Sequence, residues 1–101
     1  MANDNQQQRM EIELDAETAQ GKYSNLAIIS HSPSEFVLDF AAVLPGVQKA
    51  KVKSRIILTP EHAKALMMSL QENVARYETN VGRIELQQMQ SNIGFKNHGE
   101  A

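Results

Sequence analysis

A chain of 101 residues is long enough for one modest hydrophobic core and too short for two domains. Its hydrophobic fraction of 42% is typical of a folded globule, and no apolar run approaches the ~20 residues that span a bilayer. The absence of cysteine excludes disulfides and thiolate chemistry, while a net charge of −2 argues against general, charge-driven binding of nucleic acid. Because the polar N-terminus offers no secretion signal, we expect a cytoplasmic protein of bacterial type.

The first third of the chain predicts two strands. Residues 1–9 are rich in Asn and Gln, which predicts a disordered leader because they offer almost nothing to bury. Residues 10–14 alternate apolar and acidic side chains, the period-two pattern of a half-buried strand. A loop of small and polar residues follows over residues 15–22. Residues 23–31 contain β-branched and aromatic types and predict the second strand.

Residues 35–42 are compatible with two structures. Their apolar side chains alternate with smaller or polar neighbours, which favours a strand, and the Ser-Pro-Ser turn before them suits a hairpin. A short helix is the alternative, and it would present Phe36, Phe40 and Val43 on one side. After a Leu-Pro-Gly break, residues 48–59 predict the next strand, which runs directly into a helix.

The strongest local signal is the helix start at residues 59–61, Thr-Pro-Glu. The Thr oxygen can accept from a first-turn N–H, Pro loses no needed donor at the first helical position, and the acid complements the positive end of the helix. We expect the helix to end near Asn80, with Gly82 supplying the exit, although a longer helix that reaches Ile84 is the alternative.

Along this helix, apolar side chains recur at alternating steps of four and three residues. The recurring residues are Ala63, Met67, Leu70, Val74, Tyr77, Val81 and Ile84. We call the five residues Met67, Leu70, Val74, Tyr77 and Val81 the helix stripe. They fill the two core positions of a heptad repeat. We expect the helix stripe to pack on the chain's own sheet, and a seam between the helices of two copies is the alternative.

Four cations lie two residues apart in the predicted strand before the helix. They are Lys49, Lys51, Lys53 and Arg55, which we call the basic segment. In an extended chain all four would share one face. They predict either a surface for an acidic or phosphate-bearing partner, or an ordinary solvated face whose cross-strand neighbours are carboxylates.

The other polar residues form no catalytic pattern. The three histidines are far apart in sequence and lack the spacing of metal ligands. Three serines surround His31, but neighbours in a strand point to opposite faces. Asp39 is expected to be partly buried, and a structural pairing with Arg55 explains it without catalysis. We therefore expect no enzyme activity, no metal and no cofactor.

Together these elements predict an α+β protein with an antiparallel sheet of about four strands followed by one long C-terminal helix. The domain would span residues 10–84, and residues 85–101 would form a poorly specified tail. One helix leaves much of a small sheet uncovered, so we expect a homodimer or a higher oligomer.

An ordered set of short segments over residues 22–84 resembles a family of small bacterial and archaeal proteins known as domain of unknown function 3467. The segments are NLAIIS at 25–30, SEFVLDF at 34–40, PG at 45–46, SRII at 54–57, TPEHAK at 59–64, LQEN at 70–73 and YE at 77–78. The resemblance implies a small cytoplasmic protein without an established activity. Through genes that neighbour some members, it also points to RNA polymerase as a partner. The expected order of strands and helix is similar to that of the SecB export chaperones.

Three functions follow as hypotheses. The first is a non-enzymatic, homo-oligomeric adaptor whose basic segment faces an acidic partner. The second is a SecB-like holdase that binds unfolded chains on exposed apolar grooves. The third is an accessory factor that binds nucleic acid through the basic segment. None of the three involves a membrane.

Overall fold

The computed structural model describes residues 10–87 and 94–97, and over these residues the protein is α+β. Three consecutive strands lead into a long helix, which confirms the predicted α+β class and the helix, whereas the sequence predicts four strands before it. A single turn of helix precedes the strands, and a short strand follows the long helix. In chain order the elements are α1 (Ala16–Ala19), β1 (Leu26–His31), β2 (Phe36–Ala42), β3 (Lys51–Leu58), α2 (Pro60–Asn80) and β4 (Gly94–Asn97).

The sheet has the order β3-β2-β1-β4. The central strand β2 pairs antiparallel with both β1 and β3, whereas β4 pairs parallel with β1. The prediction that residues 35–42 form a strand is confirmed, and the alternative helix is excluded. Sequence patterning did not predict β4, because four residues with one aromatic side chain offer no periodicity.

The strand predicted over residues 10–14 is wrong. These residues belong to no strand, and Met10, Ile12 and Leu14 are all exposed. Alternation of apolar and polar side chains shows which face of a strand would be buried, but it does not supply a neighbouring strand to pair with. The helical turn α1 lies inside the predicted loop at residues 15–22.

The core of the described chain is small and is divided between the two faces of the sheet. The register pairs Leu26 with Ala41 on one face and places Ala27 and Leu38 on the other. Among residues 10–87, five hydrophobic residues are buried. They are Leu26, Ala27, Leu38, Ala41 and Ala42. Ile28 and Phe40, which lie on opposite faces, are only half-buried, so within the described residues each face of the sheet retains accessible apolar surface.

Asn25 extends the pairing of β1 and β2 beyond the end of β1. Its Nδ2 donates to the Val43 carbonyl at 3.0 Å, and its Oδ1 accepts from the Val43 N–H at 2.7 Å. The Asn25 N–H donates to the carbonyl of Ala41 at 3.0 Å. A side-chain amide thus continues the hydrogen bonding of the sheet where the backbone of β2 leaves it.

Removing this amide is expected to destabilise the fold. In Asn25→Ala both part-buried hydrogen bonds to Val43 are lost, so the free energy of unfolding should fall by about 1–3 kcal/mol. Urea unfolding at one fixed protein concentration measures this change. Asn73→Ala is the control, because Asn73 makes its hydrogen bond to Ser69 on an exposed helix surface. Equal stability of the Asn25 and Asn73 variants would contradict the structural role of Asn25.

Both predicted ends of the long helix are confirmed. Thr59 Oγ1 accepts from the His62 N–H at 3.2 Å, and Pro60 occupies the first helical position. The helix ends at Asn80, which excludes the longer alternative. Beyond its end, the N–H groups of Val81 and Gly82 both donate to the carbonyl of Tyr77, at 2.7 and 3.3 Å. Local capping therefore determines the length of this helix.

Candidate interaction surfaces

The helix stripe is solvent-exposed along its whole length. No residue of α2 is buried, and the five side chains of the helix stripe are 39% to 68% exposed. The principal contact of α2 within the sheet is with β3, the strand that leads into it. The expectation that the helix stripe packs on the chain's own sheet is therefore wrong.

The connection between β3 and α2 explains this exposure. Loops between a strand and the helix that packs back on its sheet commonly have about 2–6 residues. Here one residue, the extended Thr59, separates Leu58 from Pro60. So short a connection leaves no room for the chain to reverse over the sheet, and the apolar side of α2 remains uncovered.

The exposed helix stripe represents a substantial free energy that burial would release. Full burial of a large apolar side chain contributes roughly 1.5–3 kcal/mol, so burying the exposed half of such a side chain would contribute about 1 kcal/mol. Five such side chains in each of two copies give about 10 kcal/mol, which is comparable with the ~4–15 kcal/mol cost of association. The helix stripe is therefore large enough to support association between proteins.

Exposed apolar residues continue onto the edge strand β3. Ile56 pairs with Leu38 and Ile57 pairs with Val37, so these two isoleucines lie on opposite faces of the sheet, and both are exposed. Val52 is exposed as well. The edge of the sheet thus presents apolar side chains on both faces, beside its cations.

The four cations of the basic segment do not share one face, and that prediction is wrong. Lys49 precedes β3 and lies in a bend. Within β3, Ser54 pairs with Phe40 whereas Val52 pairs with Ala41, so the register shifts by one residue at Lys53. Such a bulge reverses the alternation of side chains beyond it. As a result, Arg55 and Lys51 lie on opposite faces of the sheet.

The predicted pairing of Asp39 with Arg55 is confirmed. The two residues are cross-strand partners, and the guanidinium donates through Nε to Oδ1 at 2.7 Å and through Nη2 to Oδ2 at 2.9 Å. The Asp39 side chain is 13% exposed and that of Arg55 is 63% exposed. The hydrogen bonds from Arg55 lower the pKa of the Asp39 carboxyl, and the same contact raises the pKa of the guanidinium.

Arg55 is therefore occupied by a structural contact, and the three lysines are the cations left for a partner. Within residues 10–87, the only other ion pair joins Arg83 to Glu85. Lys49, Lys51 and Lys53 are exposed. They place positive charge at the start of the edge strand β3 and just before it, rather than on a single flat face.

The ion pair predicts a specific loss of stability in acid. Because the folded-state pKa of Asp39 lies below its ordinary value of 3.8, the pair contributes fully above pH 3.8 and is lost as the pH falls from there through the folded-state pKa. Asp39→Asn should therefore remove part of the acid dependence of the unfolding free energy, measured by urea unfolding as a function of pH. Glu35→Gln removes an exposed carboxylate outside the pair and should leave that dependence intact. An unchanged acid dependence in Asp39→Asn would contradict this role.

His31 and the serines of the turn after β1 make local contacts. His31 stacks on its cross-strand partner Phe36, with ring centroids 5.3 Å apart. The Ser34 N–H donates to Ser32 Oγ in the turn between β1 and β2. Over the described residues, no group of three His, Asp or Glu side chains could hold a metal ion. His98 lies outside the described residues.

An open depression of about 540 Å³ lies between α1 and β3. Its lining residues are Glu17, Thr18, Gly21, Lys22 and Ser54. No large apolar side chain is among these lining residues, and Glu17 and Lys22 are the titratable ones, so the depression resembles a gap between two elements more than a ligand pocket.

Among the described helices, none is long and apolar enough to cross a membrane.

The fold and its exposed surfaces define a small α+β protein with an unpartnered amphipathic helix and a basic sheet edge. The model of the protein family of unknown function DUF3467 matches residues 1–86, and the chain belongs to this family. The resemblance noted over residues 22–84 is thereby confirmed. Searches of curated proteins and of solved structures found no match, so the similarity to SecB has no support from them.

Proposed function

We propose that this protein is a non-enzymatic adaptor of the cytoplasm that acts as a homo-oligomer. The observation that carries the proposal is the exposed helix stripe, of which four side chains lie on the 21-residue helix α2 and the fifth, Val81, is its C-cap. A monomer with such a surface would be prone to non-specific association, and self-association would bury it.

In this proposal the sheet edge contacts a second, different protein. The exposed Lys49, Lys51 and Lys53 suit an acidic or phosphate-bearing surface, and the apolar Val52, Ile56 and Ile57 beside them would add burial to the charge contacts. RNA polymerase, the partner implied by the resemblance to the family, is one candidate.

Sedimentation velocity of the wild-type chain tests the assembly part of the proposal. We expect the mass to rise above that of a monomer of 11.3 kDa as the concentration increases through the micromolar range. A monomer at every concentration up to the high micromolar range would overturn the homo-oligomeric adaptor.

The exposed apolar side chains also support a second candidate, a holdase that binds unfolded chains. The relevant surface comprises the helix stripe and the two isoleucines of β3. A holdase would slow the aggregation of a denatured client protein, and the effect would disappear when the helix stripe carries charges. No effect on aggregation at a several-fold molar excess would remove this candidate.

A further inference from the structure

We infer that the helix stripe is covered by the α2 helix of a second copy running in the opposite direction, so that Lys64 of each copy faces Glu78 of the other. This inference rests on the self-association proposed above and adds its geometry. The partner is thus the chain itself, and its orientation follows from the charges that flank the helix stripe.

The apolar positions fit an antiparallel pair. Met67, Val74 and Val81 fill one core position of the heptad, and Leu70 and Tyr77 fill the other. In an antiparallel pair residues of the first kind meet residues of the second kind across the two-fold axis, and Val81 lies opposite Ala63, which shares the second position. Leu70 of one copy then lies opposite Val74 of the other, and Met67 lies opposite Tyr77. The flexible Met side chain can adapt to the large aromatic ring.

The residues beside the helix stripe supply the charge complementarity. Lys64, Gln71 and Glu78 are spaced seven residues apart and occupy the same flanking position of the heptad. An antiparallel pair centred near Gln71 brings this flank of one helix alongside the same flank of the other. Lys64 then meets Glu78 twice, once at each end of the seam, and the two uncharged Gln71 side chains meet at the centre.

Both charged groups are available for this contact. Lys64 and Glu78 are exposed, and neither belongs to an ion pair among the described residues. One oxygen of Glu78, Oε2, accepts from the Ile84 N–H at 3.0 Å. This hydrogen bond holds the carboxylate beside the helix and leaves Oε1 for the ammonium group of Lys64.

A parallel pair would lack these contacts. In a parallel seam the flank with Leu66 and Asn73 would meet the flank with Gln71 and Glu78, and no opposite charges would face each other. The helix dipoles would also lie side by side in the same direction, whereas an antiparallel pair opposes them. Charge pattern and dipoles therefore favour the same orientation.

Charge reversal tests the inference by complementation. Lys64→Glu and Glu78→Lys each place like charges at both ends of the seam, so each variant alone should associate about tenfold more weakly than the wild type. An equimolar mixture of the two variants restores both opposite-charge contacts and should associate as the wild type does, as should the double variant. Sedimentation velocity measures all four samples, with circular dichroism to confirm that each is folded.

The controls separate failure of this inference from failure of the proposed self-association. A monomeric wild type overturns both. Suppose that the wild type associates. If the single variants then associate as strongly as the wild type, or if their mixture does not regain wild-type association, the antiparallel arrangement alone is overturned. Glu78→Gln keeps an acceptor for the Ile84 N–H and therefore separates loss of that hydrogen bond from reversal of charge.

Cross-linking measures the orientation directly, because the chain has no cysteine of its own. In an antiparallel pair, Gln71→Cys places two thiols near the two-fold axis, where a short bismaleimide should join them. Lys64→Cys places its two thiols ~20 Å apart along the helices, since the positions are 14 residues apart at 1.5 Å per residue. Efficient cross-linking at Gln71 alone is expected, and equal cross-linking at both positions would overturn the inference.

Discussion

Leu70→Glu combined with Val74→Glu should convert the protein to a monomer. A dimer of this variant would place four carboxylates at apolar positions of the seam, and the lost burial alone amounts to about 4 kcal/mol at roughly 1 kcal/mol per position. Such a loss corresponds to about a thousandfold weaker association. The fold of the single chain should survive, because neither residue is buried within it. Sedimentation velocity and circular dichroism measure the two effects.

The matched control places the same charges on the other side of the helix. Ser69→Glu with Thr79→Glu adds two acids to α2 outside the helix stripe, so it should associate as the wild type does. If the control and the stripe variant lose association equally, total charge rather than the helix stripe controls assembly. If both retain it, assembly uses another surface.

The second large effect is expected at the sheet edge. Lys51→Glu with Lys53→Glu should weaken binding to an acidic partner about tenfold or more, because each reversal replaces an attraction of roughly 0.5 kcal/mol by a repulsion of similar size. Capture from native lysate with mass spectrometry identifies the partner, and titration of the purified partner measures the affinity. Self-association should be unchanged, since both lysines lie outside α2.

The charge-preserving variant Lys51→Arg with Lys53→Arg should keep partner binding. Capture of one stoichiometric protein, lost in the Glu variant and kept in the Arg variant, supports an adaptor. Capture of many unfolded proteins, to the same extent by the wild type, the Glu variant and the Arg variant, favours a holdase. A nucleic acid that binds with a steep dependence on salt, and only through the lysines, would indicate the accessory factor instead.

The parts of the fold that follow from local interactions could be predicted from the sequence. The start of α2 depends on Thr59 and Pro60, which act within one turn, and its end depends on contacts of Tyr77 with residues four and five positions later. The largely apolar sequences of β1 and β2 follow from the burial of residues on both faces of the sheet. The pairing of Asp39 with Arg55 was predictable because a carboxylate in an apolar strand needs a cation as a neighbour.

Apart from the helical turn α1, a local element inside the predicted loop, the main errors concern contacts between distant parts of the chain. Residues 10–14 have the pattern of a strand, but no sequence pattern specifies which edge would accept them. The bulge at Lys53 depends on how β3 matches β2, and it separates cations that a regular strand would align. The exposure of the helix stripe follows from a connection of one residue, Thr59, whose consequence appears only in three dimensions.

The sequence suggests which residues form the candidate surfaces but does not specify their geometry. The five members of the helix stripe and the lysines were recognised from spacing alone. Asn25 was missed as a structural residue, although an Asn immediately before an apolar strand is a signal for side-chain hydrogen bonding to the backbone. The charges of Lys64 and Glu78 indicate an orientation for a second copy only because the helix stripe beside them is exposed.

Two adjacent methionines provide the most direct test of the central claim that the helix stripe is an interface. In the single chain Met67 and Met68 are 54% and 56% exposed, but only Met67 belongs to the helix stripe. Oxidation by dilute peroxide, followed by fragment-ion mass spectrometry, measures the rate at each sulfur. The account predicts that Met67 becomes protected relative to Met68 as the protein concentration rises, and that Leu70→Glu with Val74→Glu abolishes the difference. Equal oxidation of Met67 and Met68 at every concentration would contradict it.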